Sequence, residues 1–245
     1  MSKRIVMNKM RLYNLLFLIV VLIPSSVLSQ EKNDLKPILE NVMDFYENTA
    51  RYTVEIEQTL LRGKSGTNIS ENYNGNFIKD KGYSKLILLN SEVIQFPGVR
   101  LIIDHDNKAI EYSKTPIGPS TPIDLKGFLK YYEGSSLKSN DKQWICELTV
   151  IPSAAFVPSD KILLYVNKDL NYVEKQVLFL SRKLPFKLKD GTTEEDFGRL
   201  EIVFKHDLNL SDKVNDKLSN YISKTGSNMA PVKKYNGYQI VNLSN

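Results

Sequence analysis

The sequence predicts a mostly β fold of the α+β kind: a single curved antiparallel sheet of about ten or eleven strands wrapped round one N-terminal helix and one short central helix. Three observations predict it. Apolar residues alternate with polar ones over many short runs from Tyr52 onward, the period of a half-buried strand. Tight-turn signals separate those runs and no helix lies between most successive pairs, which favours an antiparallel meander over a parallel sheet. A stripe of helical period occurs ahead of the first run and one short one midway. The same periodicity is also compatible with two flat sheets.

The elements follow in order. Leu35, Ile38, Leu39, Val42, Met43, Phe45 and Tyr46 form one broad apolar stripe at helical spacing, with Asn33 or Asp34 as cap and Pro37 tolerated in the first turn. From Tyr52 the period switches to two: Tyr52, Val54, Ile56, Gln58 and Leu60 share a face, with Thr53, Glu55, Glu57 and Thr59 opposite. Further strands are expected over 73–79, 83–89, 93–96, 99–104 and 109–113. Asp80-Lys81-Gly82, Asn90-Ser91, Pro97-Gly98 and Asp106-Asn107 provide the turns. Pro116, Gly118, Pro119 and Pro122 make 115–123 a loop. An amphipathic helix to Tyr132 carries Leu125, Phe128, Leu129 and Tyr132 on one side. Strands resume over 143–151, 161–166, 172–180 and 199–205. The segment 210–222 is polar and weakly helical, so 211–232 reads as an insertion or a lid, before a last strand over 238–243.

Residues 1–29 carry Lys3, Arg4, Lys9 and Arg11, an apolar run from Leu15 to Ile23, then Pro24 and Val27-Leu28-Ser29. This is the layout of a secretory signal peptide, with cleavage expected between Ser29 and Gln30 and one domain over 30–245. The apolar run falls well short of the roughly 20 residues that span a bilayer. The whole chain holds 33 Lys+Arg against 28 Asp+Glu, but removing 1–29 leaves 29 against 28. A nearly neutral chain gives little support for nucleic-acid binding, which needs a concentrated cationic face. Arg182-Lys183 with Lys187 and Lys189 form a local basic cluster that reads as solvated surface. Cys146 is the only cysteine, so no intramolecular disulfide forms, and its place in an apparent strand suits a small buried hydrophobe. Export with one cysteine fits a bacterial cell envelope.

No site for catalysis is apparent. His105 and His206 each sit beside aspartate, in Asp104-His105-Asp106 and His206-Asp207, but their spacing shows no third or fourth converging metal ligand. No Gly-x-Ser-x-Gly elbow, dinucleotide fingerprint or phosphate loop occurs. The densest carboxylate run, Glu194-Glu195-Asp196, reads as a solvated hairpin tip. The expectation is a protein that is not an enzyme, without cofactor or metal.

Taken in order, the elements resemble the LolA-like carriers of outer-membrane lipoproteins in the bacterial periplasm and their LolA/LolB-like superfamily of lipid-binding half-barrels. The residues that carry the resemblance are Thr49 to Leu60 with Gln58, Asn74-Gly75-Asn76-Phe77-Ile78-Lys79, and Arg100 to Asp104 followed by Asp106-Asn107-Lys108 and Ile110-Glu111-Tyr112. Leu148-Thr149-Val150-Ile151-Pro152 and the last hairpins, 161–180 and 199–205, complete it. The match covers about 35–210. The carriers place an arginine after the second strand that bonds to the lid helices; this chain has Asp80-Lys81-Gly82 there, and its tail beyond 210 is longer.

The resemblance implies an incomplete barrel and a periplasmic, monomeric carrier of lipoprotein acyl chains or other lipid, acting with inner- and outer-membrane lipoprotein-sorting components. A concave apolar face under helices would hold acyl chains. Its expected lining is Val54, Ile56, Leu60, Phe77, Leu86 and Leu88, then Leu101, Ile103, Tyr112 and Trp144, with Leu125, Phe128 and Leu129 from the central helix. The same residues could simply fill a core. An envelope interaction protein on this fold is therefore the alternative, with Tyr221, Tyr235 and Tyr238 as a docking surface.

Overall fold

The structure, a computed structural model, describes residues 35–114, 121–154, 156–210, 213–226 and 228–244. The expected signal peptide and most of the loop 115–123 lie outside the described residues. Helix α1 (Lys36–Asn48) leads into a meander of β1 (Arg51–Arg62), β2 (Ile69–Asp80), β3 (Tyr83–Leu88), β4 (Ser91–Phe96), β5 (Val99–Asp104) and β6 (Ala109–Ser113). One-turn helix α2 (Leu125–Phe128) separates it from a second meander: β7 (Tyr132–Ser139), β8 (Gln143–Val150), β9 (Ser159–Asn167), β10 (Val173–Lys187) and β11 (Thr193–Asp207). The tail holds a hairpin, β12 (Ile222–Thr225) with β13 (Asn228–Pro231), and then β14 (Gln239–Asn242).

Twelve strands form one curved, open sheet in the order β14-β6-β5-β4-β3-β2-β1-β11-β10-β9-β8-β7. The two meanders join where β1 pairs antiparallel with β11, from Thr53 opposite Asp207 to Arg62 opposite Gly198. The N-terminal helix, the first meander, the short central helix and the later hairpins follow in the order expected. Every pairing in the sheet is antiparallel except β14 beside β6.

Several details differ from the sequence reading, each for a local reason. The central helix stops at Phe128, capped at its start by the Asp124 carboxylate on the Gly127 amide (2.8 Å), and Tyr132 opens a strand instead. That strand, β7, is an edge with a bulge between Gly134 and Ser136; Gly-Ser-Ser gave no alternation to read. Glu194, Glu195 and Asp196 belong to β11 rather than to a tip, because β10 and β11 pair out to Lys187 opposite Thr193. Asp190 and Gly191 turn the chain there, with Gly191 at φ +86°.

Register decides which side chains share a face. Val54 lies opposite Phe77, Phe77 opposite Leu86, Leu86 opposite Val93 and Val93 opposite Ile102. These residues therefore share the concave face. Leu101, Ile103, Ile110 and Tyr112 alternate with them and stand on the other face. Two cores result. Under α1, Leu39, Val42 and Tyr46 pack with Val54, Ile56, Phe77, Leu148, Ile162, Leu164, Val166 and Phe204. On the opposite face, Ile94, Phe96, Leu101, Ile103, Ile110 and Tyr112 are covered by Tyr221, Ile222 and Tyr235 from the tail.

Candidate functional site

The concave face divides into a filled part and an open part. Over β7–β11 and β1 the stripe of α1 fills it: Val42, Ile162, Leu164 and Val166 are fully buried. Lys79 fixes the helix end. Its Nζ donates to the carbonyls of Tyr46 (2.6 Å) and Glu47 (3.0 Å), so a cation meets the negative end of the α1 dipole. Burial lowers the Lys79 pKa. This lysine, one residue before the Asp80-Lys81-Gly82 turn, was not singled out in the sequence; only its helical partner could have marked it.

Beside the helix end sits His206. Tyr172 stacks on its ring with centroids 4.1 Å apart, and its Nε2 lies 3.1 Å from the Tyr46 hydroxyl, which also accepts the Val173 amide. Burial drives the His206 pKa down to about 4, so the ring is neutral at ordinary pH. His105 is engaged on the opposite face between Glu92 (3.1 Å) and the Tyr238 hydroxyl (2.8 Å). Both histidines serve packing. Cys146 is buried and its thiol is pushed up to about 12, which removes it as a nucleophile. Among the described residues no three His, Cys, Asp or Glu side chains cluster as a metal would need, and no helix is long and apolar enough to cross a membrane.

The open part lies over β2–β5. The row Leu86, Val93, Ile102 crosses it, and Leu88 lies opposite Gly75, whose missing side chain leaves room for the leucine. A β-carbon at Gly75 would stand 2.8 Å from Leu88 Cδ1. Leu86, Leu88, Val93 and Ile102 are all half-buried, and Leu88, Val93 and Ile102 join neither core. Gln58 faces Tyr73 at its margin, with Tyr73 38% exposed. The strip is about 14 Å across, three strand spacings.

The expected lining is thus split into three. Val54, Ile56, Phe77 and Leu125 are buried in the α1 core, with Leu86, Phe128, Leu129 and Trp144 packed at its edge. Leu60 and Leu88 are half-buried on the concave face outside both cores. Leu101, Ile103 and Tyr112 lie in the opposite core and do not join the concave face. Val93 and Ile102, which do, were missed: in Val99-Arg-Leu-Ile-Ile-Asp the run of three apolar residues hides the strand's phase. Between α1 and the α2 segment a cavity of about 50 Å³ is lined by Met43, Tyr46, Ile123 and Leu125. That is far below the roughly 300 Å³ of a small-ligand site.

Tyr221 and Tyr235, expected as docking tyrosines, are 4% and 1% exposed and hold the tail down. Asp216 accepts bonds from the Tyr83 hydroxyl (2.7 Å) and from Tyr221, while Lys85 Nζ pairs with Glu92 at 2.6 Å. Burial opposes ionisation of Glu92 and Asp216. Lys85 and His105 nevertheless hold the Glu92 carboxyl below its usual range, and Tyr221 and Tyr83 do the same for Asp216.

Among solved structures, the chain is similar to a LolA superfamily protein from Nitrosomonas europaea, at 13% identity over 69% of this chain and 90% of that one, with a TM-score of 0.30. It is similar to a putative outer membrane lipoprotein-sorting protein domain from Vibrio parahaemolyticus, at 10% identity over 74% and 94%, TM-score 0.34. A chain of the Pseudomonas aeruginosa MucA/MucB complex is similar at 11% identity over 81% and 63%, TM-score 0.36. No family model and no curated protein matches the chain. Likeness of this extent leaves function to be argued from the chain's own residues.

Proposed function

We propose that this protein is a non-enzymatic binder or carrier of acyl chains in the bacterial cell envelope, exported by residues 1–29, acting as a monomer. The observation that carries the reading is the half-buried apolar strip Leu86, Leu88, Val93 and Ile102 beside the α1 core, on the same concave face. An acyl chain laid along it contributes about 0.8 kcal/mol per buried methylene. Ten methylenes give about 8 kcal/mol before the cost of association. The cargo is a lipid or the acyl group of a lipoprotein, handed over to membrane sorting components.

A second reading has its own support. The close packing beneath α1, where Val42, Ile162 and Leu164 are fully buried, favours a filled scaffold that binds a protein partner instead. Native mass spectrometry of protein purified without detergent separates the two. The carrier reading expects bound lipid, or uptake of a fluorescent fatty-acyl probe, and loss of both in Leu88→Glu. A protein that melts normally, carries no lipid and takes up no probe is the scaffold.

A further inference from the structure

One rim of the sheet presents an aromatic ring to solvent. Phe156 is 91% exposed and its backbone sits at φ +60°, a left-handed conformation that a β-carbon disfavours. The residues that follow it are anchored. The Ser181 amide donates to Pro158 O (3.1 Å), the Ser181 hydroxyl donates to Val157 O (2.7 Å), and the Val157 side chain packs against the α1 core. Val157 is drawn inward while its neighbour points out, so the exposure of Phe156 is set by the loop geometry.

The same rim carries exposed cations. The Arg182 guanidinium lies 5.9 Å from the Phe156 ring centroid, within cation–π range. Arg182 falls in the bulge between Phe179 and Lys183, and both Arg182 and Lys183 are exposed. Lys187 and Lys189 continue along the hairpin to its tip. The nearby acids are mostly engaged elsewhere. Glu194 and Asp196 hold Arg62 at 2.7 and 3.1 Å, Asp160 holds Lys64 at 3.0 Å, and Asp190 is turned back onto Thr192. Among the described residues, Arg182, Lys183, Lys187 and Lys189 enter none of the ion pairs; with Arg62 they make five cations here against the four carboxylates Asp190, Glu194, Glu195 and Asp196. Arg182, from the cluster that the sequence marked as solvated surface, therefore stands beside an exposed aromatic, and Lys183, Lys187 and Lys189 extend away from it along the hairpin.

We propose that this rim docks the protein onto an anionic lipid surface, with Phe156 entering the headgroup layer and the four cations meeting lipid phosphates. An aromatic ring at the water–lipid boundary gains from having an apolar body near the acyl region. Basic side chains strung along a hairpin, rather than gathered into a pocket, suit a planar field of phosphates. The inference is independent of the acyl-binding strip and stands or falls separately from it.

The test is co-sedimentation with phosphatidylcholine vesicles, with and without phosphatidylglycerol, using protein as the cell processes it and with its N-terminus determined. Variants and parent are compared within that one form, because a retained apolar leader would itself bind vesicles. Binding should require phosphatidylglycerol and weaken with salt. Arg182→Ala and Lys183→Ala should each weaken it about fivefold, the factor equivalent to ~1 kcal/mol per surface cation. Phe156→Ser should weaken it at every salt concentration, and Phe156→Trp should emit further to the blue on vesicles. All three side chains are exposed, so unchanged melting verifies that the variants are folded. No binding overturns the proposal, as does equal binding to neutral vesicles or to soluble polyglutamate. Binding that survives Phe156→Ser unchanged also overturns it.

Discussion

The two faces of this sheet are closed by different chemistry. The concave side is covered by the first element of the chain, α1, through aliphatic contacts in which Val42, Ile162 and Leu164 have no exposed surface. The other side is covered by the last segment through polar contacts with the sheet: Tyr83 of β3 and Tyr221 of the tail both donate to Asp216, and Tyr238 meets His105, which in turn meets the buried Glu92. An apolar contact is indifferent to pH and direction, whereas a network of this kind is strong only when every member is satisfied. One cover is set by volume and the other by bond geometry.

The largest way to probe that contrast is Leu164→Ala. It should cost about 3 kcal/mol and speed hydrogen exchange across the sheet, β14 included, because the helix-side core carries global stability. If β14 keeps its protection while β9 and β10 lose theirs, the two faces fold separately.

A comparable effect comes from acid, and it acts first on the concave side, where His206 sits among the apolar contacts at the end of α1. His206 titrates near 4 when folded and near its ordinary 6.5 when unfolded. Between those values the unfolded chain binds a proton that the folded chain does not. Stability is therefore complete above pH 6.5 and declines as pH falls, by about 2–3 kcal/mol at pH 4. Glu92 and Asp216, held below their usual range, give up their share only below the ordinary carboxylate values. Denaturant titrations at stepped pH should show the first loss above pH 4, and His206→Gln should flatten it. A slope that persists in His206→Gln would place the acid-sensitive group elsewhere.

The smallest effect is local. Tyr221→Phe keeps the ring and removes one bond to Asp216, at a cost of about 1–2 kcal/mol. Its faster exchange should be confined to β12, β13 and β14. Spread over β9 and β10, it would mean that the tail is part of the main cooperative unit.

How much of this was legible in the sequence follows from where alternation was clean. α1 and β1 were readable because Leu39, Val42 and Tyr46, and then Tyr52, Val54 and Ile56, keep strict helical and strand periods. β7 was not, since beyond the buried Tyr132 it is a largely exposed, bulged edge with no apolar rhythm to keep. The division of the expected lining was hidden for another reason. Alternation says which residues share a face of one strand but not which face of the sheet that is, and only pairing from Val54 through Phe77, Leu86 and Val93 to Ile102 settles the matter. The tail was opaque because its anchors are isolated tyrosines, Tyr221 and Tyr235, in a polar stretch.

The seam between β1 and β11 has a consequence for how the chain is made. Val54 meets His206, and Leu60 meets Leu200, only when nearly all of the chain has left the ribosome. Until then α1, the first described element, has no β9 to cover Leu39 and Val42, and β6 has no β14 along its edge. Pairings so distant in sequence are slow to form. The apolar stripe of α1 therefore stays uncovered until synthesis is almost complete, and the two ends of the chain close the sheet together.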